Sequence, residues 1–418
     1  MELFKNGVNS AFDYTKVFLK WLFFASIVGV VGGTVGSVFH ISIDYVTELR
    51  YEFPWILFLL PLGGLLIVGA YSLFAKKGRI DTNCVIEAVQ REERVPFVMA
   101  PLIFFATVVT HFFGGSAGRE GAALQLGGSM GYNIGRLFKL SKQDVRIIVM
   151  AGMSSVFAAL FGTPLTAAFF SIEVISIGVI HYAALVPCLI SSVVAAQIAA
   201  LFGLSPVGFT LNTGIDFSWS MVLGVVVLSL LCALLSIVFC FCMKKGEHLF
   251  EKYVPNAYAR VFIGGAFVVA LTVLIGTNEY NGAGMDVIAR AVSGDARYEA
   301  FALKLLFTVI TIASGFKGGE IIPGFFIGST FGCVVGGILG LEPGLGAAIG
   351  CVAVFCGMVN CPFASVILAL ELFGSEYILL FALACGISFM MSGPFGLYSK
   401  QRFVCSKIRE EFSEINEG

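Results

Sequence analysis

Charge is what this chain has least of. Asp, Glu, Lys and Arg make up 13% of its 418 residues against 58% hydrophobic ones, whereas a soluble domain covers its surface with roughly a quarter charged residues. The shortage excludes a soluble globular fold and a disordered chain alike. With 26 basic and 27 acidic residues the net charge is −1, so the basic surplus of a nucleic-acid-binding surface is missing too, and no nucleic-acid partner is expected. Histidine is scarce: His40, His111, His181 and His248 lie far apart and form no His-x-x-Glu-His or His-x-x-x-His pair, which argues against a metal site. No phosphate-binding Gly-Lys-Ser/Thr run occurs either, and neither an enzyme nor a cofactor is expected. The 11 cysteines sit mainly inside apolar runs, among them Cys188, Cys232, Cys240, Cys351 and Cys385, where cysteine acts as a small hydrophobe. Their spacing gives no disulfide framework. The first 15 residues carry Glu2, Lys5 and Asp13 and lead into an apolar run without a small-residue cleavage site, so no removed signal peptide is expected.

What remains is apolar sequence punctuated by glycine. Apolar stretches run over 17–40, 53–75, 96–113, 115–135, 147–162, 163–180, 181–203, 218–243, 261–276, 301–314, 316–340, 343–358, 362–373 and 375–392. This is an all-α polytopic membrane protein. Several stretches fall short of the ~20 residues that span a bilayer, so they read as half-helices or steeply packed helices within a bundle. The 49 glycines permit close helix packing and also permit helices to break where backbone faces an interior cavity. Basic clusters at Lys76, Lys77 and Arg79, at Arg136, Lys139, Lys142 and Arg146, at Lys244, Lys245, Lys252 and Arg260, and at Lys400, Arg402, Lys407 and Arg409 are separated by even sets of stretches. The positive-inside rule then puts all four clusters and both termini in the cytoplasm of a cell-membrane protein. Segment 277–300 becomes an external loop.

The chain also matches itself. Gly152, Val156, Phe157, Pro164 and Glu173 recur, at one common offset, as Gly350, Val354, Phe355, Pro362 and Glu371. Glycine and apolar matches arise by chance in such a composition, but a proline and an acid, both uncommon in apolar segments, share the offset. The reading is a first transmembrane repeat over 1–210, a second over 211–400 and a short cytoplasmic tail over 401–418, with no soluble regulatory domain. Upstream, the offset puts Gly118-Arg119-Glu120-Gly121 within two residues of Gly318-Gly319-Glu320-Ile321. Each half thus has a glycine-rich break carrying a glutamate, the pattern of transporters whose site lies between repeats near the bilayer midplane.

An ionisable group inside apolar sequence is costly and by default functional, and Glu120 is the outstanding one. Glycines around it let the next helix begin with free N–H groups facing a cavity, an anion site made of donors and helix dipole. A carboxylate tethered there occupies the site until it is protonated or displaced by a free anion. The competing account is a buried pair in which Glu120 only neutralises Arg119. The second break, around Glu320 and Ile321, follows the same logic, with Pro323 in the first turn of its helix. Asn83 is either a side-chain donor to an ion or a helix N-cap. Tyr398 either touches an ion with its hydroxyl or anchors the chain at the membrane interface.

These residues resemble the CLC anion channels and anion/proton exchangers. The resemblance covers nearly the whole chain and rests on Gly118-Arg119-Glu120-Gly121, on Gly318-Gly319-Glu320-Ile321-Ile322-Pro323, on Gly396-Leu397-Tyr398-Ser399, and on Pro164 and Pro362. It implies two inverted-topology repeats with broken and tilted helices, and a homodimer with one ion pathway per subunit. Glu120 would be the external gating glutamate that carries the proton and competes with the anion. Backbone N–H groups around Gly121, Glu320 and Ile321 would line the pathway, with Asn83 and Tyr398 at its inner end.

Departures from the chloride-exchanger pattern refine this. Where those exchangers read Gly-Ser-Gly-Ile-Pro, this chain has Thr82-Asn83-Cys84-Val85-Ile86, and where they carry an inner proton-accepting glutamate it has Val174 beside Glu173. Asparagine for serine, loss of the inner glutamate and a Gly-Gly-Glu second break look like the fluoride-exporting branch, although that branch has threonine where Ile322 stands. The expectation is a fluoride/proton antiporter. The alternative is a chloride/proton exchanger or passive chloride channel of the same family.

Overall fold

The computed structural model describes residues 2–75, 80–91, 93–211, 214 and 218–408, the segment 2–11 by its backbone alone. Lys76, Lys77, Arg79 and Arg409, with the tail from 409 onward, lie outside the described residues. In chain order the helices are α1 (Glu2–Glu52), α2 (Leu60–Phe74), α3 (Thr82–Arg91), α4 (Met99–Phe112), α5 (Glu120–Leu137), α6 (Lys142–Phe161), α7 (Pro164–Glu173) and α8 (Leu185–Leu201). They continue as α9 (Trp219–Tyr253), α10 (Ala257–Ile275), α11 (Met285–Val292), α12 (Ala300–Ala313), α13 (Ile321–Ile338), α14 (Pro343–Val359), α15 (Pro362–Phe373) and α16 (Ile378–Met391). Two short strands, β1 (Ser176–Ile177) and β2 (Arg402–Phe403), pair in parallel, with Ser176 beside Arg402 and Ile177 beside Phe403.

Among the described residues, 7 helical segments are long and apolar enough to cross a membrane, the first running Phe12–Glu52. Others are short. The 10 residues of α7 rise only about 15 Å, half the hydrocarbon thickness, so such a helix ends inside the bundle and its terminal backbone groups need protein partners. Caps supply several of them. Ser141 accepts from Asp144 N at the start of α6, and Gly162 ends that helix in the left-handed region at φ 68°. Glu342 accepts from Leu345 N at the start of α14.

The two shortest apolar helices cap each other. Glu173, the last residue of α7, accepts from Phe363 N and Ala364 N at the start of α15, at 3.2 and 2.8 Å. Glu371, near the end of α15, accepts from Leu165 N, Thr166 N and Thr166 Oγ1 at 3.0, 2.8 and 2.6 Å. Both helices open on proline, whose missing N–H needs no partner.

Glycine sets the tightest helix contacts. A Cβ on Gly127 of α5 would collide with the carbonyl oxygen of Gly152 in α6, and one on Gly328 of α13 with that of Gly350 in α14. Absent side chains let these backbones touch, which is how helices gain packing energy where no water is available to be expelled.

Several elements differ from the hydropathy reading. Helix α1 runs on through His40, Asp44 and Arg50, polar positions that end the apolar stretch but not the helix; His40 and Arg50 are buried. Segment 277–300, read as a loop, contains α11, whose buried Val287, Ile288, Ala291 and Val292 form one face. Asp286 and Arg290 on its other face hid that period. The stretches starting at 115 and 316 become helices only at Glu120 and Ile321, after their glycine breaks.

Candidate ion pathway

The two breaks meet. Gly118 N donates to Gly319 O and Gly319 N to Gly118 O, both at 2.7 Å, an antiparallel bridge that holds the N-termini of α5 and α13 against each other. The approach needs glycine: a Cβ on Gly319 would lie 2.6 Å from Gly121 N and 2.8 Å from Glu120 N. Two helix N-termini facing one point concentrate unpaired donors and the positive ends of two dipoles there.

Glu120 is the first residue of α5 and has no solvent exposure. Its Oε2 accepts from Ile322 N, in the first turn of α13, at 3.2 Å. Its Oε1 has no hydrogen-bond partner among the described residues. The carboxylate therefore spans from one break to the other and sits on a backbone donor of the opposite helix. A Cβ on Gly118 would collide with Glu120 Oε2, so glycine there is what admits this pose. The Arg119–Glu120 pair weighed from the sequence is not what forms. Arg119 Nη1 instead bonds Asp44 Oδ1 at 3.1 Å, and His40 Nε2 holds the other oxygen of Asp44 at 3.0 Å.

Beyond the bridge lies a cavity of about 340 Å³ whose lining includes Asn83, Gln125, Lys317, Glu320, Leu397 and Tyr398, together with Asp81, Lys244 and Glu247. Tyr398 is 6% exposed and its hydroxyl has no partner among the described residues, a buried O–H whose desolvation a ligand in the cavity would offset. That burial excludes the interfacial-anchor reading. Asn83 is not the N-cap of α3 either: Asp81 Oδ1 takes that role, accepting from Cys84 N at 3.0 Å. The Asn83 side chain reaches the carboxyl-terminal segment, where its Oδ1 accepts from Lys400 N at 3.1 Å. Glu320, the residue before α13, points its carboxylate toward the start of α5; a Cβ on Gly121 would lie 3.4 Å from Glu320 Oε2. Of the residues singled out from the sequence, Glu120, Gly121, Glu320 and Ile321 thus gather at the bridge, and Asn83, Tyr398 and Glu320 line one cavity.

Sequence reasoning missed Ile322 as a backbone donor, and Gln125, Lys317 and Glu247 as cavity residues. Lys317 carried a signal, a lone cation directly before the second break; its Nζ lies 5.2 Å from the centre of the Tyr71 ring. Gln125 and Glu247 carried none. Two Gly-x-Ser-x-Gly runs, at Ser116 and Ser129, are structural. Ser116 Oγ bonds Thr308 Oγ1 and Ser129 Oγ donates to Pro96 O.

The chain belongs to the voltage-gated chloride channel family, whose model matches residues 63–393. It is a multi-pass membrane transporter and not an enzyme. A Pseudomonas syringae pv. tomato protein named a chloride/fluoride channel protein is 35% identical over 409 residues, 96% of this chain and 90% of its own. The H(+)/Cl(−) exchange transporter ClcA of Vibrio cholerae is 25% identical over 420 residues, covering 90% of this chain and 86% of its own. Among solved structures, a CLC-type fluoride/proton antiporter superposes with a TM-score of 0.88 at 30% identity, covering 92% of this chain and 98% of that one. A slow cyanobacterial Cl−/H+ antiporter shares the fold at a TM-score of 0.75 and 19% identity, over 89% of this chain and 94% of that one.

Proposed function

We propose that this protein exports fluoride in exchange for protons across the cell membrane. The observation that carries the reading is the pose of Glu120: a buried carboxylate on the Ile322 N–H of the facing helix, with its second oxygen unpartnered. A carboxylate in that place is a tethered anion. Protonation weakens its hold on a backbone donor, because a charge-assisted hydrogen bond becomes an ordinary one. A free anion then takes the donors, and the protonated side chain moves its proton along the path the anion vacates. Exchange follows because one site serves both. We take Glu320, whose carboxylate leans toward Gly121 and lines the cavity, as the group that passes that proton on.

Fluoride is small and strongly hydrated, so a protein must replace its water with several close donors. The Asn83 amide, the unpartnered Tyr398 hydroxyl and the backbone N–H groups at Gly121, Glu320 and Ile321 supply such a set. The solved CLC-type fluoride/proton antiporter, at a TM-score of 0.88 and 30% identity, supports the same choice, while the name of the 35% identical relative covers chloride and fluoride alike. Chloride/proton exchange is the second reading, favoured by Ile322, which offers no hydroxyl beside the gate, and by the relatives named as chloride exchangers. We further propose a homodimer with one pathway per subunit, inverted repeats over 1–210 and 211–400, and both termini in the cytoplasm.

Efflux from proteoliposomes loaded with fluoride or chloride, with internal pH followed at the same time, tests the reading. Fluoride is expected to leave much faster than chloride and to drive protons the opposite way, with proton movement lost in Glu120→Gln. Equal passage of chloride would instead install the second reading, and anion flow without proton movement in the unmodified protein would make it a channel.

A further inference from the structure

Helix α3 carries Asn83, Glu87 and Gln90 at spacings of four and three residues, one stripe of the helix. All three side chains contact a single residue, Lys400. Its backbone N–H donates to Asn83 Oδ1 at 3.1 Å, its Nζ lies 2.7 Å from Glu87 Oε1, and its carbonyl accepts from Gln90 Nε2 at 3.0 Å. Gln90 Nε2 also donates to Ile175 O at 2.7 Å, tying the same helix to the strand pair that holds the segment after Lys400.

The consequence concerns the amide of Asn83. An asparagine side chain has an electropositive end and an electronegative end, and its last torsion has two broad wells about half a turn apart. Turned one way it offers an anion two N–H donors; turned the other it presents a carbonyl that repels the anion. A backbone N–H only donates, so the atom facing Lys400 N is the oxygen. The amide nitrogen takes no part in that bond and is left to the cavity that Asn83 lines. We propose that Lys400 is a positioning residue for anion selectivity: gripped by Glu87 and Gln90, it fixes the Asn83 amide with its donors toward the anion path. The proposal rests on the reading that Asn83 faces the anion.

The backbone N–H of Lys400 survives substitution, so the grip is tested through its anchors. Glu87→Gln, Lys400→Met and Gln90→Leu are each expected to lower the fluoride-to-chloride efflux ratio of proteoliposomes several-fold. Proton coupling through Glu120 and the melting temperature in detergent should hold. Lys400→Arg, which keeps the ion pair, is expected to keep the ratio, and the exchanged pair Glu87→Lys with Lys400→Glu to recover it. Asn83→Ala is the reference. A ratio that collapses in Asn83→Ala and stays unchanged in all three anchor variants overturns the positioning role alone. An unchanged ratio in Asn83→Ala removes the reading beneath it. Loss of ratio and melting temperature together in every variant, with no recovery in the exchanged pair, makes the contact purely structural and also overturns the proposal.

Discussion

A buried acid surrounded by backbone donors is a different object from a buried acid beside a basic side chain, and the difference decides what the site exchanges. Asp44 takes Arg119, so Glu120 is left with donors that an anion can also use. Glu120 was readable in the sequence because a charged residue between glycines in apolar sequence has few structural excuses. Its partner was readable only as one of the free N–H groups of the second break: that the donor is Ile322 was not, because its side chain is inert and it comes from the far half of the chain. Lys317 belongs to this scale too. The cavity that leads to Glu320 is lined by Asp81, Glu247 and Glu320, with Lys244 and Lys317 as its cations, and an anion entering past carboxylates needs a compensating charge. Lys317→Met is therefore expected to slow anion efflux most at low ionic strength, the deficit shrinking as salt rises toward 1 M, where the screening length falls to about 3 Å. Efflux rates measured across a salt series check this; a deficit independent of salt would count against a charge effect.

Helices α7 and α15 show what short elements require. Each is too short to satisfy its ends alone and each ends on, or near, a glutamate that fastens the other's first turn. The matched prolines and glutamates were visible in the sequence at one offset, but the exchange between them was not, because a cap is ordinarily sought in the residues just before a helix. The hidden α11 failed for the opposite reason, its apolar face being too short to outweigh its charged one. A carboxylate that accepts from two or more donors at a helix start leaves them unpaired when removed, at about 1–3 kcal/mol for each one that no water reaches. Glu371→Ala, which frees three donors, is expected to lower thermal stability more than Glu173→Ala, which frees two. The glutamine at either position should fall between, keeping an acceptor but not the charge. Melting curves of the purified variants in one detergent decide the order.

At the scale of the whole molecule, the placement of the site depends on how closely four helices approach. Helices α5 and α13 carry the two breaks on their N-termini, and each is pressed backbone to backbone against its neighbour, α6 or α14, through glycine. The composition made close packing legible as an expectation, since 49 glycines are far more than turns alone consume. Which glycines make contact was not legible, because a packing glycine and an idle one look alike in sequence. The structure separates them: a Cβ on Gly127 would strike the carbonyl of Gly152, while one on Gly69 of α2 or Gly386 of α16 would meet nothing within 4 Å. Adding a methyl group to a packed interface costs about 1–3 kcal/mol, whereas an open helical glycine replaced by alanine gains about 0.5–1 kcal/mol from backbone entropy. Gly127→Ala must push α5 away from α6, and α5 takes Glu120 with it. That variant is expected to lose anion-coupled proton movement along with stability, while Gly69→Ala and Gly386→Ala keep transport and melt no lower than the unmodified protein. If Gly127→Ala melted lower yet exchanged ions at the original rate, the seat of Glu120 would be set by the bridge between Gly118 and Gly319 alone, and the glycine contacts would serve the bundle without serving the gate.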